Sequence, residues 1–265
     1  MKNMRFLVLI LSAFCFAFCS IFLVCYYASG LRAQEEMIGL IQAIEENAEE
    51  TPVCTSSENP EERTVLPQYE ELYQQNTDLI GWVSIEGTSL NYPVMFTPRD
   101  GEYYLHRNFN KEYEYRGLPF LDKNCDIERP STNLLIYGHN MKNNTMFSSL
   151  LKYKDKDYYE EHPVICFDTI YEKGEYEIFG VILSRVYKKS DRDFKFYQFI
   201  EGKTKEEFNE YVSNIRELAL YETGIRPEFG DRLLTLITCS YHTENGRLAV
   251  VARRIDRNLA KNGDN

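Results

Sequence analysis

Two apolar runs decide the fold of this chain: Asn-Leu-Leu-Ile-Tyr-Gly-His at residues 133–139 and Leu-Leu-Thr-Leu-Ile-Thr-Cys at residues 233–239. Each run has the length and aliphatic content of a buried strand, and each ends in a residue with reactive chemistry. The pattern predicts that His139 and Cys239 lie where a strand runs out into a loop. A rigid scaffold can hold a side chain there and still leave it open to a substrate.

Arg247 extends this pattern, because it opens the run Gly-Arg-Leu-Ala-Val-Val-Ala at residues 246–252, eight positions after the cysteine. A thiol attacks as its thiolate, which a positive neighbour favours, and His139 is the candidate for that neighbour. The guanidinium can stabilise the negative charge that attack places on a carbonyl oxygen. A cysteine at a strand end is by itself usually a core residue, and an arginine at a strand start usually faces solvent. Their combination with Gly-His-Asn predicts a cysteine transacylase.

Short runs rich in Ile, Val, Tyr and Phe, bounded by Gly, Pro, Asn or Asp, recur along the chain. Including the two runs above, the predicted strands are 82–85, 90–95, 118–121, 133–137, 164–168, 176–185, 233–238 and 248–255. Eight such strands with few long helices predict a mainly β fold that closes into a barrel rather than a doubly wound sheet.

Two helices are predicted at the periphery of the barrel, a short one over 69–75 and a better marked one over 204–220. Thr204 and Glu207 form a capping-box pattern at the start of the second helix, and Gly224 is predicted to stop it. This helix lies in an excursion of roughly fifty residues between two strands, a length that is often functional and forms lids or binding walls.

An uncharged apolar run of 23 residues, 6–28, lies near the N-terminus. At about 1.5 Å per residue it reaches roughly 34 Å, enough to cross a ~30 Å hydrocarbon core. Lys2 and Arg5 precede the run, and Glu35 and Glu36 follow it. The run is therefore predicted as a single-pass anchor with a cytoplasmic N-terminus and an extracellular bulk. The alternative is a cleaved signal peptide, whose apolar region normally spans about 7–15 residues.

The net charge of −11 is concentrated after the anchor, since residues 35–62 contain nine Glu and no Lys or Arg. We interpret this segment as part of a solvated, self-repelling stalk. Nothing in the chain resembles a basic footprint for nucleic acid. The predicted organisation is a cytoplasmic N-terminus (1–5), a transmembrane anchor (6–28), an acidic stalk (29–63), a catalytic domain (64–257) and a polar C-terminal tail (258–265).

Seven cysteines are spread along the chain without paired or metal-ligand spacing. Three lie in the apolar run, Cys54 lies in the stalk, and three belong to the predicted catalytic domain. An extracellular location permits disulfides, so a bridge between Cys125 and Cys166 is one alternative. We expect neither a cofactor nor a metal.

The motifs around His139, Cys239 and Arg247, in this order, resemble those of the sortases and are similar to class B. Further matching stretches are Asn-Thr-Asp-Leu-Ile-Gly-Trp-Val-Ser-Ile-Glu-Gly-Thr (76–88), Asn-Tyr-Pro-Val-Met (91–95), Glu-Tyr-Tyr-Leu (102–105) and Met-Phe-Ser-Ser-Leu (146–150). A helix inserted before the cysteine strand is also a class B trait. The resemblance runs from about residue 65 to 256.

The resemblance implies an eight-stranded sortase barrel and a transpeptidation reaction. The enzyme would cleave a C-terminal sorting pentapeptide of secreted proteins after its threonine and hold the acyl group as a thioester. An amine of peptidoglycan, or of its lipid-linked precursor, would then accept the acyl group. By the same resemblance Cys239 is the nucleophile, His139 the general acid/base, and Arg247 the stabiliser of transition state and substrate.

Two further expectations concern the substrate groove, and a third concerns metals. Leu105 and Tyr197 fall, by approximate spacing, where class B enzymes line the groove for the sorting peptide. Class B enzymes often carry Ser two positions before the cysteine, where this chain has Ile237, and this departure predicts a different substrate preference. The resemblance implies no dependence on a metal.

Two other functions fit parts of the sequence. A cell-wall cysteine peptidase would give its thioester to water, although the common secreted type places its cysteine before its histidine in the chain. A non-catalytic anchored binding module would use the aromatic-rich surface that 20 Tyr and 16 Phe supply.

The remaining histidines compete with His139 for the role of base. His242 is three residues from Cys239, but it lies in a loop with no strand to fix it, so we expect a surface side chain. His106 and His162 are flanked by charged residues and are expected to be exposed.

Overall fold

The computed structural model describes residues 2–49 and 64–255. The chain divides into two compact units, residues 1–50 and 51–265. Cys54 and the other stalk residues from 50 to 63 lie outside the described residues, as does the predicted C-terminal tail, whereas residues 29–49 of the predicted stalk are described.

The first unit is one long helix, α1 (Lys2–Glu49). Within the described part of the chain it is the one helix long and apolar enough to cross a membrane, and it is therefore a candidate transmembrane span. Its large apolar side chains are exposed along the predicted anchor; Phe14 and Phe16, for example, are each 76% exposed. The helix continues past the apolar run into the acidic segment that follows.

The second unit is a closed barrel of eight strands in the order β1-β2-β3-β4-β7-β8-β6-β5. The strands are β1 (Leu79–Ser84), β2 (Asn91–Met95), β3 (Phe120–Leu121), β4 (Asn133–Tyr137), β5 (Val164–Thr169), β6 (Glu175–Arg185), β7 (Leu233–Cys239) and β8 (Gly246–Arg254). Every strand predicted from the sequence is present, with ends shifted by at most three residues. The prediction of a mainly β, eight-stranded barrel is therefore confirmed.

Strands β4 and β7 form a parallel pair in the barrel wall, from Asn133↔Leu233 to Tyr137↔Ile237. On its other side β7 pairs antiparallel with β8. Most residues of these strands are buried, because both faces of the wall are covered, and this explains their long apolar runs. The ends of β4 and β7 and the beginning of β8 consequently meet at one edge of the barrel.

Helices α2 (Pro67–Gln75), α3 (Lys156–Glu161) and α4 (Lys205–Leu218) lie around the barrel. The predicted capping box is present at the start of α4. The predicted stop at Gly224 is wrong, because α4 ends at Leu218. The chain there turns extended and forms a bridge from Ala219 to Ile182 of β6, so pairing with the sheet ends the helix before the glycine.

Candidate active site

Arg247 lies directly across from Cys239 in the barrel wall. Cys239 is the last residue of β7, and the antiparallel register pairs it with Arg247 near the start of β8. Opposed residues in such a pair point to the same face, with Cβ atoms about 4.5–5.5 Å apart. The thiol and the guanidinium side chain therefore leave the wall side by side.

His139 reaches the same edge two residues after the end of β4. The N–H of Gly138 donates to the carbonyl of Ile237 at 3.0 Å, which extends the parallel pairing beyond the strand. The side-chain amide of Asn140 donates to the carbonyl of Cys239 at 3.0 Å. The residues on both sides of His139 are thus hydrogen-bonded to the strand that carries the cysteine.

Gly138 explains why the loop after β4 is packed so closely. A Cβ atom at this position would lie 2.5 Å from the ring of Phe147, which is completely buried. The N–H of Phe147 in turn donates to the carbonyl of His139 at 2.9 Å. The loop backbone is therefore held against an aromatic ring, and a glycine is needed for this close approach.

The imidazole of His139 has a defined hydrogen-bonding partner. Its Nε2 lies 2.8 Å from the carbonyl oxygen of Leu105. Since a carbonyl only accepts, Nε2 carries a proton and Nδ1 is the nitrogen left to exchange one. Burial lowers the pKa of His139 below its ordinary value; the Leu105 carbonyl opposes this shift, and the nearby His106 adds to it. A histidine of this kind is largely neutral near pH 7 and can act as a base.

A cleft of about 680 Å³ opens at this edge of the barrel. All five residues predicted from the sequence line it: His139, Cys239, Arg247, Leu105 and Tyr197. The structure thus brings together side chains that are up to 142 positions apart in the chain, from Leu105 to Arg247. Ile237, which lies two positions before the cysteine, also lines the cleft.

The two candidate groove residues come from short 3₁₀ helices. Leu105 belongs to Tyr103–His106, and Tyr197 belongs to Phe196–Gln198 in the excursion that precedes α4. The hydroxyl of Tyr197 accepts a hydrogen bond from the N–H of Tyr187 at 3.0 Å. Its ring is therefore held in place at the wall of the cleft.

Tyr137 and Asp122 line the cleft but were not predicted as site residues. The Tyr137 hydroxyl donates to a carboxylate oxygen of Asp122 at 3.1 Å, and its ring stacks on Phe120 at 5.6 Å. Burial and the Asp122 carboxylate raise the pKa of Tyr137 above its ordinary range, so the hydroxyl stays protonated. Residues two positions apart in a strand point to the same face, so Tyr137 could have been predicted from its position two residues before His139. Nothing in the sequence indicates that Asp122 belongs to the site.

Arg247 keeps donors available for an anion. One guanidinium nitrogen donates to the carbonyl of Gly246 at 3.0 Å, and within the described residues no carboxylate forms an ion pair with it. Arg253 and Arg254, further along β8, are instead paired with carboxylates, Arg254 with Glu172 at 2.7 Å. Of these three arginines, Arg247 is the one that lines the cleft and the one without a carboxylate partner.

The other histidines lie elsewhere or play another part. His242 is exposed, and its Nδ1 lies 3.0 Å from the hydroxyl of Ser240, as expected for a surface residue. His106 is exposed as predicted, but its ring stacks against that of His139, a contact that the sequence does not indicate. The prediction of an exposed His162 is wrong, because its ring packs 4.6 Å from that of Tyr158 and is only partly accessible.

Cys125 and Cys166 are not joined by a disulfide, so the alternative of a bridge between them is wrong. Cys125 is buried, and its Sγ accepts from the N–H of Leu135 at 3.5 Å, a structural role. Across residues 2–49 and 64–255, no group of three or more His, Cys, Asp or Glu could hold a metal ion.

Comparisons with known proteins agree with this geometry. A family profile described as the Sortase domain matches residues 83–255. Sortase B of Staphylococcus aureus (strain NCTC 8325 / PS 47) is 31% identical over 193 residues, which cover 72% of this chain and 76% of the relative.

Two solved structures are similar to this chain over most of its length. A Staphylococcus aureus sortase B–substrate complex has a TM-score of 0.72 and 26% identity, covering 85% of this chain and 97% of the other. A sortase B complexed with triglycine has a TM-score of 0.72 and 26% identity, covering 85% of this chain and 98% of the other.

Proposed function

Because the chain belongs to the sortase family of cysteine transpeptidases and, within it, to class B, we propose that it transfers secreted proteins to the cell wall. It cleaves a C-terminal sorting pentapeptide after its threonine and joins the acyl group, through a thioester on Cys239, to an amine of peptidoglycan or of its lipid-linked precursor. The single observation that supports this proposal most strongly is that one cleft contains Cys239, His139 and Arg247.

In the first half of the reaction Cys239 attacks the carbonyl carbon of the threonine. His139 takes the thiol proton at Nδ1, since Nε2 is hydrogen-bonded to the Leu105 carbonyl. The carbonyl oxygen becomes an oxyanion, which accepts hydrogen bonds from the guanidinium of Arg247. His139 then gives its proton to the leaving amine, the carbon–nitrogen bond breaks, and the thioester remains on Cys239.

In the second half the acceptor amine attacks the thioester carbon. His139 removes a proton from the amine, Arg247 again stabilises the oxyanion, and the carbon–sulfur bond breaks to return the Cys239 thiolate. His139 then returns its proton to the sulfur. The same three groups therefore serve both steps, as microscopic reversibility requires.

The groove residues contribute to recognition of the sorting peptide. Leu105 and Tyr197 line the cleft from two 3₁₀ helices far apart in the sequence, and both offer apolar surface to a peptide side chain. Ile237 presents no hydroxyl where many class B enzymes have one. We therefore expect this enzyme to favour a substrate whose residue next to Ile237 does not need a hydrogen-bonding partner.

The N-terminal helix supports a location at the cell surface. We propose that residues 6–28 anchor the chain in the membrane as a single pass, with residues 1–5 in the cytoplasm. The acidic stalk (29–63), the catalytic domain (64–257) and the tail (258–265) then lie outside the cell. A chain cleaved after the apolar run would lack residues 6–28, so mass spectrometry of the protein from the membrane fraction tests this arrangement.

The test of the reaction uses the full chain in detergent micelles with a panel of sorting pentapeptides extended by a reporter. Triglycine is the first acceptor to try, because a solved sortase B is complexed with it. We expect a mass shift on Cys239 equal to the acyl fragment and, with triglycine, a ligated product. Release of the free acid alone, with and without triglycine, would favour the hydrolytic peptidase, and no turnover of any peptide would favour the binding module.

A further inference from the structure

The ring of His106 covers one face of the His139 ring. The two centroids are 5.4 Å apart and the planes are inclined by 22°. His106 is itself fixed, although it is exposed: its ring stacks on Tyr115 at 6.0 Å, and its Nδ1 lies 3.0 Å from the Tyr115 carbonyl oxygen. Three rings, Tyr115, His106 and His139, are thus stacked in sequence from the surface to the cleft.

Two consecutive residues at the end of one 3₁₀ helix (Tyr103–His106) therefore contact His139 in different ways. The carbonyl of Leu105 binds the edge of the imidazole at Nε2, and the ring of His106 packs on its face. The hydrogen bond fixes the direction in which Nε2 of His139 points, whereas the stacked ring restricts the tilt of the imidazole plane. Together they limit rotation of the side chain about both of its torsions.

We propose that His106 is a positioning residue for His139, which holds the imidazole plane for proton transfer and, through its own charge, sets the pH range in which His139 takes up a proton. The inference rests on the proposed role of His139 as the general acid/base. It deepens that role by assigning a second histidine to it.

The electrostatic part of the proposal follows from like charges at short range. When His106 is protonated, a second positive charge on His139 is disfavoured. Tyr113 and Tyr115 face His106 from the loop that follows the 3₁₀ helix, and no carboxylate within residues 64–255 forms an ion pair with it. Within this ring cluster, therefore, no counterion offsets the repulsion.

The other ionisable groups that share the cleft with His139 come from several elements. The carboxylates are Asp100, Glu102 and Asp122, and the cations are Arg99, Lys123 and Arg247. The thiol of Cys239 and the phenols of Tyr137 and Tyr197 also line it. Within one background these groups are the same with and without the His106 substitution, so a change in the titration of His139 reports on the loss of His106.

Two substitutions separate the roles of His106. His106→Phe keeps an aromatic ring on His139 but removes the charge, whereas His106→Ala removes both. His139 is titrated by NMR of its Cε1–H resonance in the full chain in micelles, on a Cys239→Ala background that removes coupling to the thiol. The chain has only four histidines, so single substitutions assign the resonances.

We expect the titration midpoint of His139 to move to higher pH in both variants, because a like charge is lost. In the active background kcat should fall roughly threefold to tenfold for His106→Ala with KM little changed, and clearly less for His106→Phe, which keeps the stacked ring. The control is His242→Phe, an exposed histidine that does not line the cleft. It should change neither the midpoint nor kcat.

An unmoved midpoint in both variants would overturn the proposal, and so would equal losses of kcat in the Ala and Phe variants. Because His106 is exposed and ends a short helix, its replacement is not expected to unfold the barrel, and the Phe variant provides a second measurement. The titration needs no turnover. A failure of the transpeptidase proposal, seen as unaltered turnover in Cys239→Ala, is therefore distinguishable from a failure of this one.

Discussion

Replacing Arg247 with lysine tests whether the site needs a planar guanidinium rather than any positive charge. In the structure one guanidinium nitrogen already donates to the Gly246 carbonyl at 3.0 Å, and the remaining N–H groups are available to an oxyanion. An ammonium has no rigid fork, so a lysine would have to satisfy the turn and the oxyanion from a single nitrogen. The substitution should therefore weaken transition-state stabilisation selectively.

The expected loss follows from two magnitudes. Removal of one oxyanion donor typically lowers kcat by ~10²–10³, or about 2.7–4 kcal/mol. The charge that lysine keeps should recover part of this loss, so we expect kcat/KM of Arg247→Lys to fall at least about tenfold, which corresponds to roughly 1.4 kcal/mol. Binding of uncleaved peptide on a Cys239→Ala background should weaken less than about threefold, because the oxyanion forms only as the reaction proceeds.

Two arginines on the same strand serve as matched controls. Arg253 pairs with Glu177 and Asp231, and Arg254 pairs with Glu172, and neither lines the cleft. Their replacement by lysine should leave kcat/KM within about twofold and cost at most ~1 kcal/mol of stability, as for partly exposed ion pairs. A silent Arg247→Lys combined with an inactive variant at either control position would show that the stabiliser had been assigned to the wrong arginine.

Four further substitutions, one of them the control His242→Ala, test the rest of the site. Cys239→Ala should abolish peptide cleavage but leave the melting temperature nearly unchanged, because the lost atom is small and partly exposed; wild-type turnover would exclude it as nucleophile. His139→Ala should lower kcat/KM by at least ~10²-fold and His242→Ala by less than about twofold; the reverse pattern would move the base to His242. Gly138→Ala forces a Cβ to within 2.5 Å of the Phe147 ring, so denaturant unfolding should show a loss of about 1–3 kcal/mol, and unchanged stability would contradict the close packing.

The sequence predicts the strands of the barrel well, because they are short runs whose burial depends on local composition. β7, for example, is buried from Leu233 to Thr238, as its aliphatic-rich and uncharged sequence indicates. The sequence predicts the end of α4 poorly. The helix stops at Leu218 because Ala219 pairs with a strand that is nearly forty residues earlier in the chain, and no local signal records such a contact.

The candidate site shows the same division between local and distant information. Residues that end or begin a strand with reactive chemistry, such as His139 and Cys239, could be identified from their position in a motif. The contacts that these side chains make with distant parts of the chain could not be identified in this way. The stacking of His106 on His139 joins a 3₁₀ helix to a loop 33 positions further along the chain. The hydrogen bond from Tyr137 to Asp122 likewise depends on the pairing of β4 with β3, which the sequence of neither strand specifies.

The chemistry of the site nevertheless constrains the topology more tightly than the strand patterns do. His139 follows the carboxyl end of β4 and Cys239 is the last residue of β7, so they can meet at one barrel edge only if β4 and β7 are parallel. Arg247 lies at the amino end of β8, so it can join them only if β8 is antiparallel to β7. The observed order β4-β7-β8 has this combination of pairings. A parallel pair between strands separated by a hundred residues is entropically costly to form and slow to find, so the local sequence preference of either strand does not specify it.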